Sequence, residues 1–162
     1  MHKPPERATK RRLIRGPARA ACILGIVVLS GCSLGQSTTQ WVEHADLNKA
    51  PEGGQARVVV LREKAHIGFV LIAVTDDLKP IGALDMGAYV AWDRPPGRST
   101  LKIKLQPFPK LAAELPIDFE SGKTYYFRAI YHGDRIKSPV EIEQLGEAEA
   151  RLLISKSAAP IN

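Results

Sequence analysis

The side chains able to do chemistry are few and scattered along the chain. Beyond position 32 there are three histidines, His44, His66 and His132. No two share the spacing that puts a pair of imidazoles on one helical face around a metal. Solvation or capping accounts for them. Asp76-Asp77 supplies two hard oxygens of the several a calcium ion needs, but the alternating acidic loop of such a site is missing, and turn chemistry explains the pair. Ser99 lies in Arg98-Ser99-Thr100 after a Pro-Pro-Gly turn, without the Gly-x-Ser-x-Gly that presents a nucleophile on a sharp bend. Glu141 and Glu143, two apart, share one face of a strand, which solvation explains without catalysis.

One cluster is more suggestive. In Thr124-Tyr125-Tyr126-Phe127-Arg128-Ala129-Ile130-Tyr131, period two puts Tyr125, Phe127 and Tyr131 on one face. These read as core. Tyr126 and Arg128 project the other way, and an exposed Tyr beside an Arg is the composition enriched at binding hot spots. Tyr126 and Arg128 are therefore the candidate interaction surface. No phosphate-cradling loop and no basic-aromatic stripe appears, and the residues imply no metal and no cofactor.

Charge narrows the partners. The chain has 162 residues and a formal net charge of +6, which in isolation suggests an acidic or nucleic-acid partner. The excess sits entirely before Cys32, where seven Lys and Arg accompany one acid; from Cys32 onward 16 basic residues face 16 acidic ones. Nucleic acid is not an expected partner.

The cationic start leads into the apolar run Ala20-Ala21-Cys22-Ile23-Leu24-Gly25-Ile26-Val27-Val28-Leu29, the layout of a secretory signal. The run is about half the length of a bilayer-spanning helix. Arg11-Arg12 raises twin-arginine export, but Lys10 and Arg15 flank the pair unsuitably and the general secretory route is expected. The tetrapeptide Leu29-Ser30-Gly31-Cys32 resembles the lipobox of bacterial lipoproteins. That resemblance implies a diacylglyceryl group on the Cys32 sulfur and cleavage just before it. The apolar run would hold Cys32 at the level of the lipid, and small Ser30 and Gly31 would allow enzymes to approach. Ser33, not Asp, follows the cysteine, which in lipoproteins of two-membrane bacteria implies sorting to the outer membrane. Cys22 is discarded with the signal, so the mature chain has no thiol for a disulfide, a zinc site or redox chemistry.

Three segments are expected: a signal peptide over 1–31, a lipidated cysteine and flexible tether over 32–56, and a folded domain over 57–158. The tether is polar and aperiodic. From Arg57 the pattern is that of short strands: 57–62, 67–75, 87–93, 99–105, 115–120, 124–131 and 139–145. Leu101, Ile103 and Leu105 alternate with Lys102 and Lys104, and Leu115, Ile117 and Phe119 with Asp118 and Glu120. Residues 57–62 and 67–75 are almost continuously apolar, as in strands buried on both faces. About seven strands at short intervals indicate an antiparallel β-sandwich. A short C-terminal helix is expected next, an edge strand being the alternative, with Glu147 and Glu149 in its first turn, Lys156 near its last, and Glu147 and Arg151 spaced to pair.

Ile81-Gly82, Gly87 with Tyr89, Pro95-Pro96-Gly97 and Gly122-Lys123-Thr124-Tyr125-Tyr126 together resemble the bacterial lipoprotein family called domain of unknown function 2846, a PEGA-like β-sandwich. The resemblance covers about residues 57–145. Two features depart from it: Asp76-Asp77-Leu78-Lys79 replaces the usual Asp-Gly turn, implying a longer or differently twisted bend, and the histidine after Pro-Pro-Gly is absent. The resemblance implies an envelope lipoprotein and no known activity.

The expected role is a non-enzymatic binding module, anchored to the periplasmic face of the outer membrane through its lipid, with an envelope protein or peptidoglycan as partner. A small carboxylate-dependent hydrolase and a lipid or small-ligand carrier are the alternatives.

Overall fold

The computed structural model describes residues 39–64, 70–133 and 139–157. The described chain is mainly β, with two sheets and one short helix. Its strands are β1 (Thr39–Gln40), β2 (Ala56–Leu61), β3 (Leu71–Asp76), β4 (Lys79–Leu84), β5 (Tyr89–Arg94), β6 (Gly97–Gln106), β7 (Ala112–Phe119), β8 (Thr124–Tyr131) and β9 (Val140–Leu145). The helix, α1, spans Glu147–Ser155. One sheet runs β1-β4-β3-β6-β7 and the other β5-β2-β8-β9.

The period-two pattern sets the main core. Leu101, Ile103 and Leu105 of β6 face inward with Ile72 and Val74 of β3, and meet Val58, Val60, Val90, Trp92 and Phe127 of the second sheet. Lys102 and Lys104 stay at the surface side of β6. Two sheets sharing one apolar core are compatible with the expected sandwich. Strand β2 is buried on both faces, as its unbroken apolar run suggests.

Four features differ from the sequence expectation. Strand β2 pairs with β8 in parallel, so the second sheet is mixed. Strand β4 is an added strand, concealed in the sequence by Pro80 and Gly82. Its pairing with β3 shifts register between Val74 and Thr75, a bulge that accommodates the proline. Of the longer or differently twisted bend expected between β3 and β4, the longer form does not occur. Two residues form the bend, and Asp77 adopts φ 51°, the left-handed region where Asp is tolerated. Its carboxylate accepts the Thr100 N–H at 2.8 Å, and its own N–H donates to the Thr100 carbonyl.

The fourth difference concerns residues 39–55, expected as a flexible tether with Trp41 alone docking back, and found paired along the domain. Strand β1 extends the first sheet at β4, the Trp41 N–H donates to Ile81 and the Ala45 N–H to Ala91. Ala45 is buried in a second apolar cluster with Val59, Leu61, Ala91, Tyr126, Leu145 and Ala150. That cluster lies on the outer face of the second sheet, beneath α1 and the 39–55 arm. The helix itself matches expectation: Arg151 pairs with Glu147 at 2.8 Å.

Antiparallel pairing sorts the loops into two poles. Thr39 lies beside Ala83, near the end of β4, close to the start of β3 and the β6–β7 loop. Lys79, Arg57 and Asp93 lie at the opposite ends of their strands.

Candidate functional site

Leu29, Ser30 and Gly31, which resemble a lipobox, and Cys32, the expected acyl acceptor, lie outside the described residues, as does His66.

The paired surface of Tyr126 and Arg128 does not form. Both side chains do leave β8 on the face opposite Phe127, as period two requires, but that face is covered. Tyr126 is only 4 % exposed, packed in the cluster with Leu145 and Ala150, and burial pushes its hydroxyl pKa up. Arg128 is saturated with acids. Its Nε donates to Glu143 at 2.9 Å, Nη1 donates to Glu63, Nη2 donates to Glu143 again, and Glu149 approaches to 3.9 Å. The hydrogen bonds to Glu63 and Glu143 raise its pKa further. A cation held this way offers little to a partner. It ties β8 to β9 and to the segment after β2. Alternation identifies opposite faces of a strand, but it does not tell which of them meets water.

The remaining candidates are structural. Asp76 turns inward, where Oδ1 accepts from Arg94 Nη1 at 2.6 Å and from the buried Ser99 hydroxyl, and Oδ2 accepts from Trp92 Nε1 at 3.1 Å. Asp77 is exposed and caps the Thr100 N–H, so each carboxylate of the pair already has protein donors of its own. Arg94 also stacks 4.4 Å from the Phe119 ring centroid. Because Trp92 and Arg94 belong to one sheet and Asp76 and Ser99 to the other, this network clasps the sheets together at one pole. His132 bonds Glu141 at 2.9 Å. Among the described residues, no three His, Cys, Asp or Glu side chains are grouped to hold a metal ion.

The site that sequence reasoning missed is a cleft of about 780 Å³ between the 39–55 arm and the ends of β2, β4 and β5. Its volume falls within the range of small-ligand sites. His44, Asp46, Lys49, Glu52 and Lys79 line it, with Arg57 and Asp93 at its base. Arg57 Nε and Nη2 donate to the two oxygens of Asp93 at 2.7 and 2.8 Å, and Nη1 donates to the Asp46 and Lys49 carbonyls. One guanidinium thus pairs two strands and fastens the arm over them. Asp93 keeps the Arg57 pKa above its usual value despite burial. Asp46 accepts the Asn48 N–H, which lowers its pKa, and lies 3.6 Å from Lys49. His44 tilts against Tyr89 and bonds the Gln40 amide oxygen through Nδ1 at 3.1 Å. Burial and then the Arg57 charge lower its pKa, favouring neutral imidazole. The local signal in the sequence was the Asp46-x-Asn48 turn; the docking depends on Arg57, which sits inside an otherwise apolar strand.

The cleft offers donors and acceptors of both charge signs. Asp93 is committed to a bidentate pair, and Asp46 has partners of its own. This arrangement suits recognition of a polar segment better than proton transfer. A second cavity of about 270 Å³, between Arg62, Lys64, Arg128 and Tyr131, is small for a ligand. Arg62 is buried there and donates to the Leu84 carbonyl at 3.3 Å, and burial lowers its pKa.

Compared with protein-family models, curated proteins and solved structures, the chain matches none.

Proposed function

We propose that this chain is a lipid-anchored envelope lipoprotein whose β-sandwich domain binds a polar partner, a segment of envelope protein or of peptidoglycan, without catalysing a reaction on it. The anchor is Cys32, on the periplasmic face of the outer membrane. The binding site is the cleft under the 39–55 arm, which replaces Tyr126 and Arg128 as the interaction surface.

The observation that carries this reading is the position of the cleft. Thr39, seven positions after Cys32, enters the fold beside Ala83, whereas Lys79, Arg57 and Asp93 lie at the far ends of their strands. By strand rise the four residues from Ala83 to Lys79 separate the two by about 13 Å. An anchor at Cys32 joins the domain at the pole opposite these residues, which favours a cleft open to the periplasm. The pairing of Asp93 with Arg57 and of Asp46 with Lys49 and Asn48 supports binding over hydrolysis, and the polar lining supports a hydrophilic partner over a lipid.

Two measurements test the reading. Mass spectrometry of the mature N-terminus should find acylated Cys32, and Cys32→Ala should abolish acyl labelling and leave an unprocessed precursor. A photo-crosslinking residue placed at Lys79 or Glu52 of the intact lipoprotein should capture one polar partner in cells, and the same residue at Glu114 on β7 should not. Equal capture from both sites, or from neither, would remove the cleft as a binding site.

A further inference from the structure

We infer that the β6–β7 loop is a second membrane contact: Phe108 and Lys110 seat in the headgroup interface of the same bilayer that holds the Cys32 lipid, and so set the domain's orientation. This inference rests on the lipid anchor proposed above.

Chain reach limits where the loop can go. From Cys32 to Thr39 there are seven residue steps, which span at most about 25 Å when fully extended. Thr39 therefore stays within about 25 Å of the bilayer that holds the lipid, which brings its pole of the domain within reach of the surface. The β6–β7 loop belongs to that pole. Thr39 is level with Ala83, Leu84 pairs with Ile72, and Leu71 pairs with Gln106, so the loop leaves the sheet at the end where the anchored chain enters.

The chemistry of the loop suits the interface. Five consecutive residues, Gln106 to Lys110, are exposed, and Phe108 among them is 52 % exposed. The Leu111 N–H donates to the Phe108 carbonyl at 2.9 Å and the Leu105 N–H to the Leu111 carbonyl at 2.9 Å, closing a tight turn. Pro107 and Pro109 flank the ring and restrict its backbone, which lowers the entropy lost on insertion. An aromatic ring beside a lysine is the pairing found where a protein meets headgroups, the ring at the interface and the ammonium toward anionic lipid. One such loop binds weakly when free. Tethered through Cys32, its contact becomes intramolecular and local concentration maintains it. Leu78, 96 % exposed, lies at the opposite pole and serves as the control.

The test uses the mature, acylated chain in vesicles of phosphatidylethanolamine and phosphatidylglycerol. With Cys22 removed and Cys32 carrying the lipid, Phe108→Cys and Leu78→Cys each provide one thiol for a polarity-sensitive fluorophore. The probe at 108 should shift to the blue and be quenched by headgroup-level nitroxide lipids several-fold more than the probe at 78. In the Phe108→Cys background, Lys110→Gln should lower that quenching by up to about fivefold on anionic vesicles, the scale expected for one basic side chain near such a surface. Equal quenching at both positions, or none at 108 on a chain confirmed as acylated, would overturn the inference and leave the anchor intact. An unmodified Cys32 in the purified protein would overturn both, and mass spectrometry separates that result from the others.

Discussion

Arg57 and Asp93 face each other across the β2–β5 ladder, and the guanidinium meets both carboxylate oxygens while its remaining nitrogen holds two carbonyls of the 39–55 arm. The Arg57 side chain is 4 % exposed. Removing its counterion would leave a buried cation unpaired. Asp93→Ala should cost about 3 kcal/mol. The arm should also loosen before the rest of the domain, so hydrogen exchange at Ala45 should accelerate while Ile103 stays protected. An unchanged Tm and unchanged exchange at Ala45 would show that the arm is held by something other than this pair.

Tyr126 is a scaffold residue. Truncating an aromatic side chain packed under α1 leaves a cavity, and Tyr126→Ala should lower stability by about 3 kcal/mol. Arg128 pairs with partly exposed acids, so Arg128→Ala should cost only about 1 kcal/mol. Thermal melts of the two variants compare them directly. Should Arg128→Ala prove the more damaging, the acid cluster rather than the aromatic would hold α1 and β9 in place.

Neighbouring residues on β6 should respond very unequally to an introduced acid. Leu101→Asp places an unpaired charge in the shared core and should unfold the domain. Lys102→Asp, which sets an acid opposite Glu114 on β7, should cost no more than about 1 kcal/mol. Circular dichroism of both proteins checks the strand's orientation, and equal losses would contradict it.

Stability should depend on pH through His44. Its folded pKa lies below the ordinary histidine value of 6.5, so between those two values the unfolded chain binds more protons than the folded one. Stability is therefore full above pH 6.5 and declines as pH falls toward the folded value. Arg57 opposes the protonated ring and Asp46 favours it, burial being the larger influence. His44→Gln should flatten this slope. A separate acid limb belongs to Asp46 and Asp77, whose pKa values backbone N–H donors hold below 3.8; their contribution is present above 3.8 and lost as pH falls through the depressed values. Urea midpoints at steps from neutral to acidic pH measure both limbs. A slope near pH 6 that persists in His44→Gln would have to come from another group.

Much of the fold was legible in the residues. Leu101, Ile103 and Leu105 against Lys102 and Lys104 marked the inner and outer faces of β6, and β7 followed the same rule. Side chains alternate along any extended backbone, so this information is local and survives without a structure. The Glu147–Arg151 pair was readable for the same reason, as helical spacing fixes which side chains meet. The basic start and apolar run before Cys32 likewise needed no structure to suggest export.

The tertiary structure decided which faces are dry. Tyr126 lies opposite Phe127 by local geometry, but its burial depends on Ala150 of α1 and on Ala45, which stand 24 and 81 positions away. The parallel pairing of β2 with β8 joins segments more than 60 residues apart, and strand pairing at that distance leaves no periodic trace. The cleft arises in the same way. Its arm has no apolar rhythm, and a single arginine in a distant strand fastens it through main-chain carbonyls, groups that every residue carries and no sequence pattern reveals.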